Sequence, residues 1–342
     1  MVDFVARSAL IPESPYAKLL QIERTKIEHH ADAYLFHEYL EEYNHPLYFH
    51  EFAALASAAN LRYVGQAEFF IEEFWLSPEA RQILSELGTD VIRREQYLDF
   101  LLNRSFRHSL LCHAGVLTTG APSAGAIRLL RMTSKSRPEN PGIAIHNDAK
   151  EPFLTFQNDR LLVDEPVLKA ALVILLRRWP RSMVFSDLWA ATLDLLGRSH
   201  DTAEFDSNAF ATSLLEAHIM RLVDLHTFDP PIATELDERP RVGSMARRDA
   251  ARGGRVISLR NHYAALAEID RLVLPLMDGS RDQDGIIDEL TSAIELGTLN
   301  FKLDGKPITE TDSIRVALAQ VVKSSLERIA SQALLLSDYR KQ

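Results

Sequence analysis

Two copies of one short pattern place imidazole and carboxylate groups side by side near the start of the chain. Phe36-His37-Glu38-Tyr39 is followed thirteen residues later by Phe49-His50-Glu51-Phe52, with Asn44-His45-Pro46 between them. Histidine and carboxylate side chains can hold a metal ion or transfer protons. The repeated pattern is therefore the first place to look for chemistry.

The spacing of these histidines does not favour a metal site. Zinc sites often take two histidines from one face of a helix, four residues apart, whereas these are eight and five residues apart and Pro46 interrupts the helix. We predict no metal. We expect His37 and His50 to be partly buried and bonded to a carboxylate or a backbone carbonyl, which would fix a corner between two helices. A contact of Glu38 and Glu51 with a substrate or partner is the alternative.

A second group of charged side chains follows at Arg104, Arg107 and His108. On a continuous helix, positions 0, 3 and 4 share one face. That face could bind an anion or a partner's carboxylate, or it could form salt bridges to Glu95 or Asp99. As surface groups, the two arginines should contribute little to stability. With Tyr97, they complete the predicted contact residues: His37, Glu38, His50, Glu51, Tyr97, Arg104 and Arg107.

No residue is predicted to be catalytic. Cys112 and His113 are neighbours, and on a helix such side chains point about 100° apart, which does not suit a nucleophile and its base. We expect Cys112 to be a buried small thiol. The chain has no G-x-G-x-G sequence, and the spaced glycines from Gly115 to Gly125 lack the Lys-Ser/Thr of a phosphate loop.

Proline and capping residues predict the elements that position these groups. Ser14-Pro15, Ser77-Pro78 and Asp90 are good helix starts. Pro46 should end one helix near Tyr43 and allow another from Tyr48. Asn60 should stop the second helix in a left-handed conformation. A short strand should follow from Leu61, and the helix from Asp90 should run to Leu111.

The sequence predicts a mainly α fold of the α+β class for the whole chain. Its 342 residues are enough for more than one core. Glycines and prolines forbid long helices in the middle of the chain. After it, three short helices lead into a strand, as in a winged helix. We predict an N-terminal helix or linker (1–32), a helical domain (33–116), a β-containing connector (117–163), a winged-helix-like domain (164–238), and a basic, mobile segment with a C-terminal helical domain (239–342).

Composition narrows the class of protein. With 38 basic and 48 acidic residues the net charge is −10, which argues against a general binder of nucleic acid or anionic membranes. The longest apolar run, 170–176, is too short to span a bilayer. The first thirty residues contain no signal-peptide core, and a single cysteine fits a reducing compartment. We expect a cytoplasmic protein.

The winged-helix pattern raises the alternative of a DNA-binding regulator. Its expected recognition helix, 208–222, carries one arginine, Arg221, against Glu216, and offers almost nothing to neutralise phosphates. We therefore favour protein contact over DNA. The segment from Arg239 to Arg260 contains seven arginines. We expect it to form a solvated loop or, as the alternative, to bind an acidic surface.

Several segments resemble a known family when they are taken in order. They are Tyr34-Leu35-Phe36-His37-Glu38-Tyr39-Leu40-Glu41, Tyr48-Phe49-His50-Glu51-Phe52, Tyr63-Val64-Gly65-Gln66-Ala67, Arg94-Glu95-Gln96-Tyr97-Leu98-Asp99-Phe100 and Asn103-Arg104-Ser105-Phe106-Arg107-His108-Ser109-Leu110-Leu111-Cys112. Together they resemble the predicted methyltransferase regulatory domain of bacterial S-adenosylmethionine-dependent methyltransferases, a group that includes protein-lysine methyltransferases.

The resemblance implies a role in methylation. The glycine-rich turn that such enzymes use for their cofactor is not found in the sequence. We therefore expect a non-catalytic chain that regulates methylation or presents its substrate. It would have no cofactor of its own, with S-adenosylmethionine on a separate catalytic domain. The expected partners are that domain, in cis or in trans, and a protein substrate, with no DNA and no membrane. A winged-helix regulator, or an enzyme that uses the His/Glu corner, is the alternative.

Overall fold

The computed structural model describes residues 4–5, 8, 14–30, 32–67, 76–118, 123–199, 203–299, 302–303, 306–307 and 311–337. These residues form two compact units, one within residues 14–118 and one within residues 123–337. Helices predominate in both units and the sheets are small, so the predicted mainly α, α+β class is confirmed.

The first unit is helical with one antiparallel pair of strands. Its described elements are α1 (Pro15–His29), α2 (Asp32–Tyr39), α3 (Phe49–Ala58), β1 (Leu61–Gln66), α4 (Pro78–Glu86), α5 (Val91–Leu102) and β2 (Ser109–His113). The two strands pair from Leu61 to Gln66, with a shift of register between Tyr63 and Gly65. Phe49, Ala56, Leu84 and Leu98 are among its buried apolar residues.

The predicted helix starts of this unit agree with the structure. The side chains of Ser14, Ser77 and Asp90 each accept a hydrogen bond from a backbone N–H of the first turn. Asn60 has a left-handed φ of 59°, as expected of a helix stop. The helix before Pro46 ends at Tyr39, four residues earlier than predicted.

The second unit contains the remaining elements. They are α6 (Ala124–Ile127), β3 (Arg131–Thr133), β4 (Arg137–Pro138), β5 (Glu151–Leu154), β6 (Arg160–Val163), α7 (Pro166–Arg178), β7 (Met183–Val184), α8 (Phe185–Leu196), α9 (Ala203–Ile219), β8 (Asp224–His226), α10 (Ser244–Ala251), α11 (Glu268–Val273), α12 (Gln283–Glu295), β9 (Lys302–Leu303), β10 (Lys306–Pro307) and α13 (Thr311–Ser331).

Helices α7 to α9 share their core with the strands that precede them. Strand β3 lies between β7 and β8 in one antiparallel sheet, and β5 lies between β4 and β6 in another. Met132, Phe153 and Val163, from the predicted connector, are buried together with Leu172 of α7 and Leu214 of α9. The segment assigned to a connector is therefore packed into the same core as the predicted winged-helix segment. The boundaries of the domains stay a prediction.

A second core contradicts the prediction of a mobile basic segment. Val242, Ala250 and Val256 are buried with apolar residues of α12 and α13, and residues 244–251 form a helix. Arg260 has a side chain that is only 1% exposed. The apolar residues between the arginines hold the segment in the core.

Polar and aromatic contacts join the two cores of the second unit along a seam. The Trp179 Nε1–H donates to the Ser331 carbonyl at 2.8 Å, and the Arg260 Nε–H donates to the Pro180 carbonyl at 3.0 Å. The His262 ring stacks on Phe156 at 4.6 Å and on Trp179 at 6.0 Å. Nearby, burial and the Arg260 charge lower the pKa of His226 to about 4. The imidazole of His226 is therefore neutral at physiological pH.

None of the described helices combines the length and the apolar character that crossing a bilayer requires.

Candidate partner-contact site

Helix α5 and the turn after it position the two arginines that the sequence singled out. The helix ends at Leu102 because Asn103 takes a left-handed conformation, with φ 49° and ψ 43°. The chain then turns into strand β2. The prediction of one helix from Asp90 to Leu111 is therefore wrong, and Arg104, Arg107 and His108 do not share a helical face.

The turn brings the two arginines back onto two carboxylates of α5. Arg104 Nη1 donates to Asp99 Oδ1 at 2.9 Å and lies 3.8 Å from Glu95 Oε2. Arg107 Nη2 donates to Glu95 Oε2, and its Nε lies 3.2 Å from Asp99 Oδ1. Of the two interpretations left open, the salt bridges are present. A direct contact with a partner stays a prediction.

This four-residue cluster, which we call the charge cluster, is largely enclosed. The arginine side chains are 11% and 12% exposed, and those of Asp99 and Glu95 are 11% and 15% exposed. Removing one partner of an enclosed ion pair leaves a desolvated charge and costs about 3 kcal/mol, against at most about 1 kcal/mol at an exposed pair. The two arginines are therefore not surface groups, and we expect each of them to contribute to stability.

Aromatic rings hold the charge cluster in place. The Arg107 guanidinium lies 3.9 Å from the centre of the Phe49 ring, which is buried, and such cation–π contacts are favourable when water is excluded. The Tyr63 hydroxyl donates to Glu95 Oε2 at 3.3 Å. Burial, followed by the nearby Glu95 charge, raises the pKa of Tyr63, so this tyrosine stays a neutral hydrogen-bond donor.

The two copies of the aromatic–His–Glu pattern have different surroundings. His50 donates its backbone N–H to Gln96 Oε1 at 3.1 Å, and its ring Nδ1 lies 3.0 Å from the same oxygen. The backbone N–H of Tyr48 donates to Glu51 Oε2 at 2.8 Å, which caps α3. The second copy therefore fixes the start of a helix, as expected of a corner. The expected partial burial of His50 is wrong, because this residue is exposed, and its partner is a side-chain amide rather than a carboxylate or a backbone carbonyl.

The first copy lies on an exposed helix. His37 has a side chain that is 71% exposed, and its Nδ1 lies 3.2 Å from Glu41 Oε2. The side chain of Glu38 is also exposed. The expected partial burial of His37 is wrong, because no residue of α2 is buried. His37 and Glu38 are therefore open to a partner.

Two adjoining cavities lie over the charge cluster. The larger has a volume of about 500 Å³ and the smaller about 170 Å³, and both are lined by Phe49, Asp99 and Arg104. Tyr48 and Phe100, in edge contact at 5.9 Å, line the smaller cavity, and Phe106 lines the larger one. We call these three exposed rings the aromatic rim. Tyr97, also exposed, is on the same helix as Phe100.

Sequence reasoning found most of this site but not all of it. Salt bridges to Glu95 or Asp99 were one of the two alternatives that the sequence left open for these arginines. No pattern in the sequence predicts the contacts of Gln96 and Tyr63, because in each of them the partner is more than thirty residues away in the chain. The i, i+3 spacing of the arginines identified the correct residues. However, they reach Glu95 and Asp99 through the turn after α5 and not through a shared face of one helix.

Metal binding and thiol chemistry have no support in this region. Among the residues that the structure describes, no group of three His, Cys, Asp or Glu side chains could hold a metal ion. Cys112 and His113 lie on strand β2 rather than on a helix. Adjacent strand residues point to opposite faces, which again separates the two side chains.

Two family models match the chain in order. Residues 31–113 match the predicted methyltransferase regulatory domain, and residues 238–334 match the C-terminal winged helix domain of PKMT. The second match covers the segment that we divided into a basic segment and a C-terminal helical domain. Our prediction of a winged helix over residues 164–238 stays a prediction.

One curated relative and two solved structures are similar over nearly the whole chain. The Rickettsia prowazekii (strain Madrid E) protein RP789 is 26% identical over 98% of the chain, which spans 62% of that protein's length. Two structures of PKMT2 from Rickettsia typhi, one in complex with AdoHcy, are 23% identical with TM-scores of 0.79 and 0.78. Each match covers 98% of this chain and 67% of PKMT2.

The PKMT2 matches correct two negative predictions made from the sequence. We expected a chain that is not an enzyme and that has no cofactor of its own. Both expectations are wrong, because a PKMT2 structure that holds AdoHcy matches 98% of the chain. A missing sequence motif does not exclude an activity.

The strands of the described residues bear on where such a cofactor could bind. Nucleoside cofactors of this kind commonly lie at a glycine-rich turn that follows a strand of a parallel sheet. In the part of the chain that the structure describes, all strand pairs are antiparallel. These residues do not fit that arrangement, so we assign none of them to the cofactor.

The two family models show that the chain is similar, segment by segment, to methyltransferase-related regulatory and winged-helix domains.

Proposed function

We propose that the protein acts in the methylation of lysine side chains of another protein, with S-adenosylmethionine as methyl donor, and that its first unit contacts the protein substrate. The observation that carries this proposal is the match to the two methyltransferase-related models, in order, within a fold like that of PKMT2 over 98% of the chain. AdoHcy is the product that S-adenosylmethionine leaves after it has given up its methyl group.

Exposure supports a contact role for the first unit. Tyr39 and Tyr48 are 46% and 58% exposed, so these rings are not part of the core. Exposed aromatic side chains beside charged ones are typical of protein interfaces, where the rings bury and the charges orient the partner. We propose that the aromatic rim holds apolar side chains of the substrate and that Glu38 attracts its lysines.

Four of the other predicted contact residues act indirectly in this proposal. His50 and Glu51 fix the start of α3, which carries Phe49 into the site. Arg104 and Arg107 form the floor of the larger cavity and bind Asp99 and Glu95. His37 and Tyr97 are exposed and are available for direct contact.

Transfer of a labelled methyl group tests the proposed function. The full chain is incubated with S-adenosylmethionine carrying a tritiated methyl group and with a panel of purified, unfolded acceptor proteins. We expect label on protein and release of AdoHcy. Acceptors with acetylated lysines are the matched control and should take up no label. Equal labelling of acetylated acceptors would contradict the choice of lysine, and no AdoHcy release with any acceptor would contradict methyl transfer.

A further inference from the structure

Strand β2 of the first unit has one side that no described strand covers. On its other side it pairs with β1, and the two strands form a sheet of their own. The chain leaves β2 in a turn, in which the Val116 N–H donates to the His113 carbonyl at 3.0 Å. Thr118 then accepts a hydrogen bond from Arg62 of β1. Among the described residues, no strand therefore pairs with the outer edge of β2.

The hydrogen bonds of the ladder show which residues face that outer edge. The Ala114 N–H donates to the Asn60 carbonyl at 3.0 Å, and the bond to the His108 carbonyl at the other end of the ladder has the same phase. Bonded and non-bonded residues alternate in an antiparallel pair, so the even-numbered residues of β2 turn their backbone groups toward β1. Ser109 and Leu111 turn theirs outward, and within the described residues neither has a backbone partner on that side.

The sequence of β2 does not protect this edge. Edge strands of soluble proteins commonly carry a lysine, a proline, another charge or a bulge, which prevents pairing with a further chain. Strand β2 has the sequence Ser-Leu-Leu-Cys-His, with no lysine, proline or carboxylate. The irregularity of the ladder lies between Tyr63 and Gly65 of β1. The outer edge of β2 is therefore able to accept an extended chain.

This edge begins at the proposed contact site. Ser109 lines the larger cavity over the charge cluster, together with Phe106 of the aromatic rim and Arg107. The Phe106 ring is also in edge contact with the His108 ring at 4.9 Å. Successive side chains of a strand point to opposite faces. In a chain laid along β2, the side chains on the face of Ser109 therefore extend toward the cavity and the aromatic rim.

We propose that the protein substrate binds the first unit in extended form, as a third strand along the outer edge of β2. The N–H and carbonyl groups of Ser109 and Leu111 bond its backbone. Its apolar side chains lie on the cavity side, and its lysines lie on the opposite face. Recognition at a sheet edge takes affinity from the main chain and specificity from pockets for alternate side chains. The inference rests on the proposed function, because it gives the conformation in which the substrate is held.

Two isomeric peptides test the backbone bonds with the full chain. Both are fluorescent peptides of about eight residues in which valine and lysine alternate. One carries N-methyl groups on the valines and the other on the lysines, so charge and composition are the same. Binding is measured by fluorescence anisotropy at roughly 150 mM salt, where exposed charges are screened beyond about 8 Å. We expect the valine-methylated isomer to bind about tenfold more weakly than the lysine-methylated isomer and the unmodified peptide, because only its missing N–H groups face β2.

Proline substitutions test the same bonds from the side of the protein. Ser109→Pro/Leu111→Pro removes two outward N–H donors that take no part in the pairing with β1, and proline is tolerated at such edge positions. Binding of the unmodified peptide should fall about tenfold or more, as expected for two lost hydrogen bonds. Ser109→Ala/Leu111→Ala is the matched control, because it shortens the same side chains and keeps both N–H groups. It should bind within about twofold of the unsubstituted protein.

Three results would overturn the inference. They are equal or reversed affinities of the two isomers, a folded proline variant that binds like the alanine variant, and a dimer that the proline variant lacks without any binding of peptide. The last result, measured by light scattering, would assign the edge to a second copy of the chain. Thermal melting checks that each variant is folded. If the proline variant is not folded, the isomers decide the question with the unsubstituted protein.

The outcomes also separate this inference from the proposed function. The expected binding pattern without methyl transfer to any acceptor would support the edge site and overturn the function. Methyl transfer that continues unchanged in a folded proline variant, with equal binding of the two isomers, would do the reverse.

Discussion

Lys169 is the residue whose surroundings depart most from what its type predicts. Its side chain is fully buried, and Nζ donates to the carbonyls of Ala144, Asn147 and Ala149 at 2.7–2.8 Å. No carboxylate is among these partners, so the backbone dipoles of the segment 144–149 hold the charge. A lysine is rarely buried unless its charge is compensated. Lys169 therefore fixes this segment to α7.

Replacing Lys169 should destabilise the second unit. In Lys169→Met, three buried carbonyls lose their donor, and each unsatisfied group costs roughly 1–3 kcal/mol before any relaxation. We expect the free energy of unfolding to fall by about 3 kcal/mol in urea denaturation. Lys150→Met, at an exposed position in the same region, is the control and should change it by less than about 0.5 kcal/mol. A loss below about 1 kcal/mol at Lys169 would mean that water replaces the ammonium.

Sequence alone does not disclose such a residue. In the run from Pro166 to Arg178, Lys169 looks like an exposed position of an apolar helix, since nothing local marks the three carbonyls about twenty residues earlier. The charge cluster was easier to predict, because Glu95, Asp99, Arg104 and Arg107 lie within thirteen residues. Side-chain contacts are thus predictable where both partners are local, and not where a loop folds back.

At the scale of elements, one carboxylate joins helices α11 and α13. Asp270 is fully buried. It accepts from the Ala267 N–H at 2.8 Å, from the Ser325 hydroxyl at 2.6 Å and from Arg328 Nη2 at 2.6 Å. Burial alone would raise the pKa of Asp270, but the bonds from Arg328, Ser325 and Ala267 outweigh it and hold the pKa below its ordinary value.

This shift predicts how stability depends on pH. Because the folded pKa is depressed, the stabilisation is complete above the ordinary value of 3.8 and is lost as the pH falls through the folded pKa. Asp270→Asn should therefore lower the free energy of unfolding at pH 7 by about 2 kcal/mol. The gap to the unsubstituted protein should close below pH 3.8.

Urea denaturation between pH 7 and pH 3 measures this gap. Asp312→Asn, an exposed position in the first turn of α13, is the matched control and should follow the unsubstituted protein throughout. A gap of constant size at every pH would show that Asp270 contributes through packing rather than through its charge.

Elements were predicted well where local chemistry decides them. Hydroxyl and carboxylate caps located the starts of α1, α4 and α5, and Pro46 separated α2 from α3. The end of α5 was missed, because the left-handed Asn103 was not recognised as a stop. The prediction of a mobile segment around α10 rested on its arginines and was wrong, because Val242, Ala250 and Val256 are buried in the core by residues distant in the sequence.

For the whole molecule, the proposed function makes the exposed rings of the first unit a test of substrate contact. In Tyr48→Ala/Phe106→Ala, two rings of the aromatic rim are removed, and both are more than half exposed. The charge cluster beneath them is kept, so we expect the melting temperature to move by no more than about 2 °C. Methyl transfer to the protein acceptor should fall about tenfold, which corresponds to about 1.4 kcal/mol of lost contact.

Tyr16→Ala/Leu19→Ala on α1 is the matched control, since these side chains are equally exposed. It should leave methyl transfer unchanged. If both double variants lower transfer alike, the effect is general and the aromatic rim is not the contact surface. If neither does, the first unit contacts its substrate elsewhere, with His37, Glu38 and Tyr97 as the next residues to change.

The seam between the two cores of the second unit also gives the molecule an optical reporter. Trp179 is fixed there by its bond to the Ser331 carbonyl and by its stacking on His262, and the Lys135 Nζ lies 4.6 Å from its ring centre. The emission of an indole depends on the charges and water around it. Opening the seam would expose the ring to solvent and shift its emission to longer wavelength. The difference spectrum between the unsubstituted protein and Trp179→Phe therefore follows the seam without any added label.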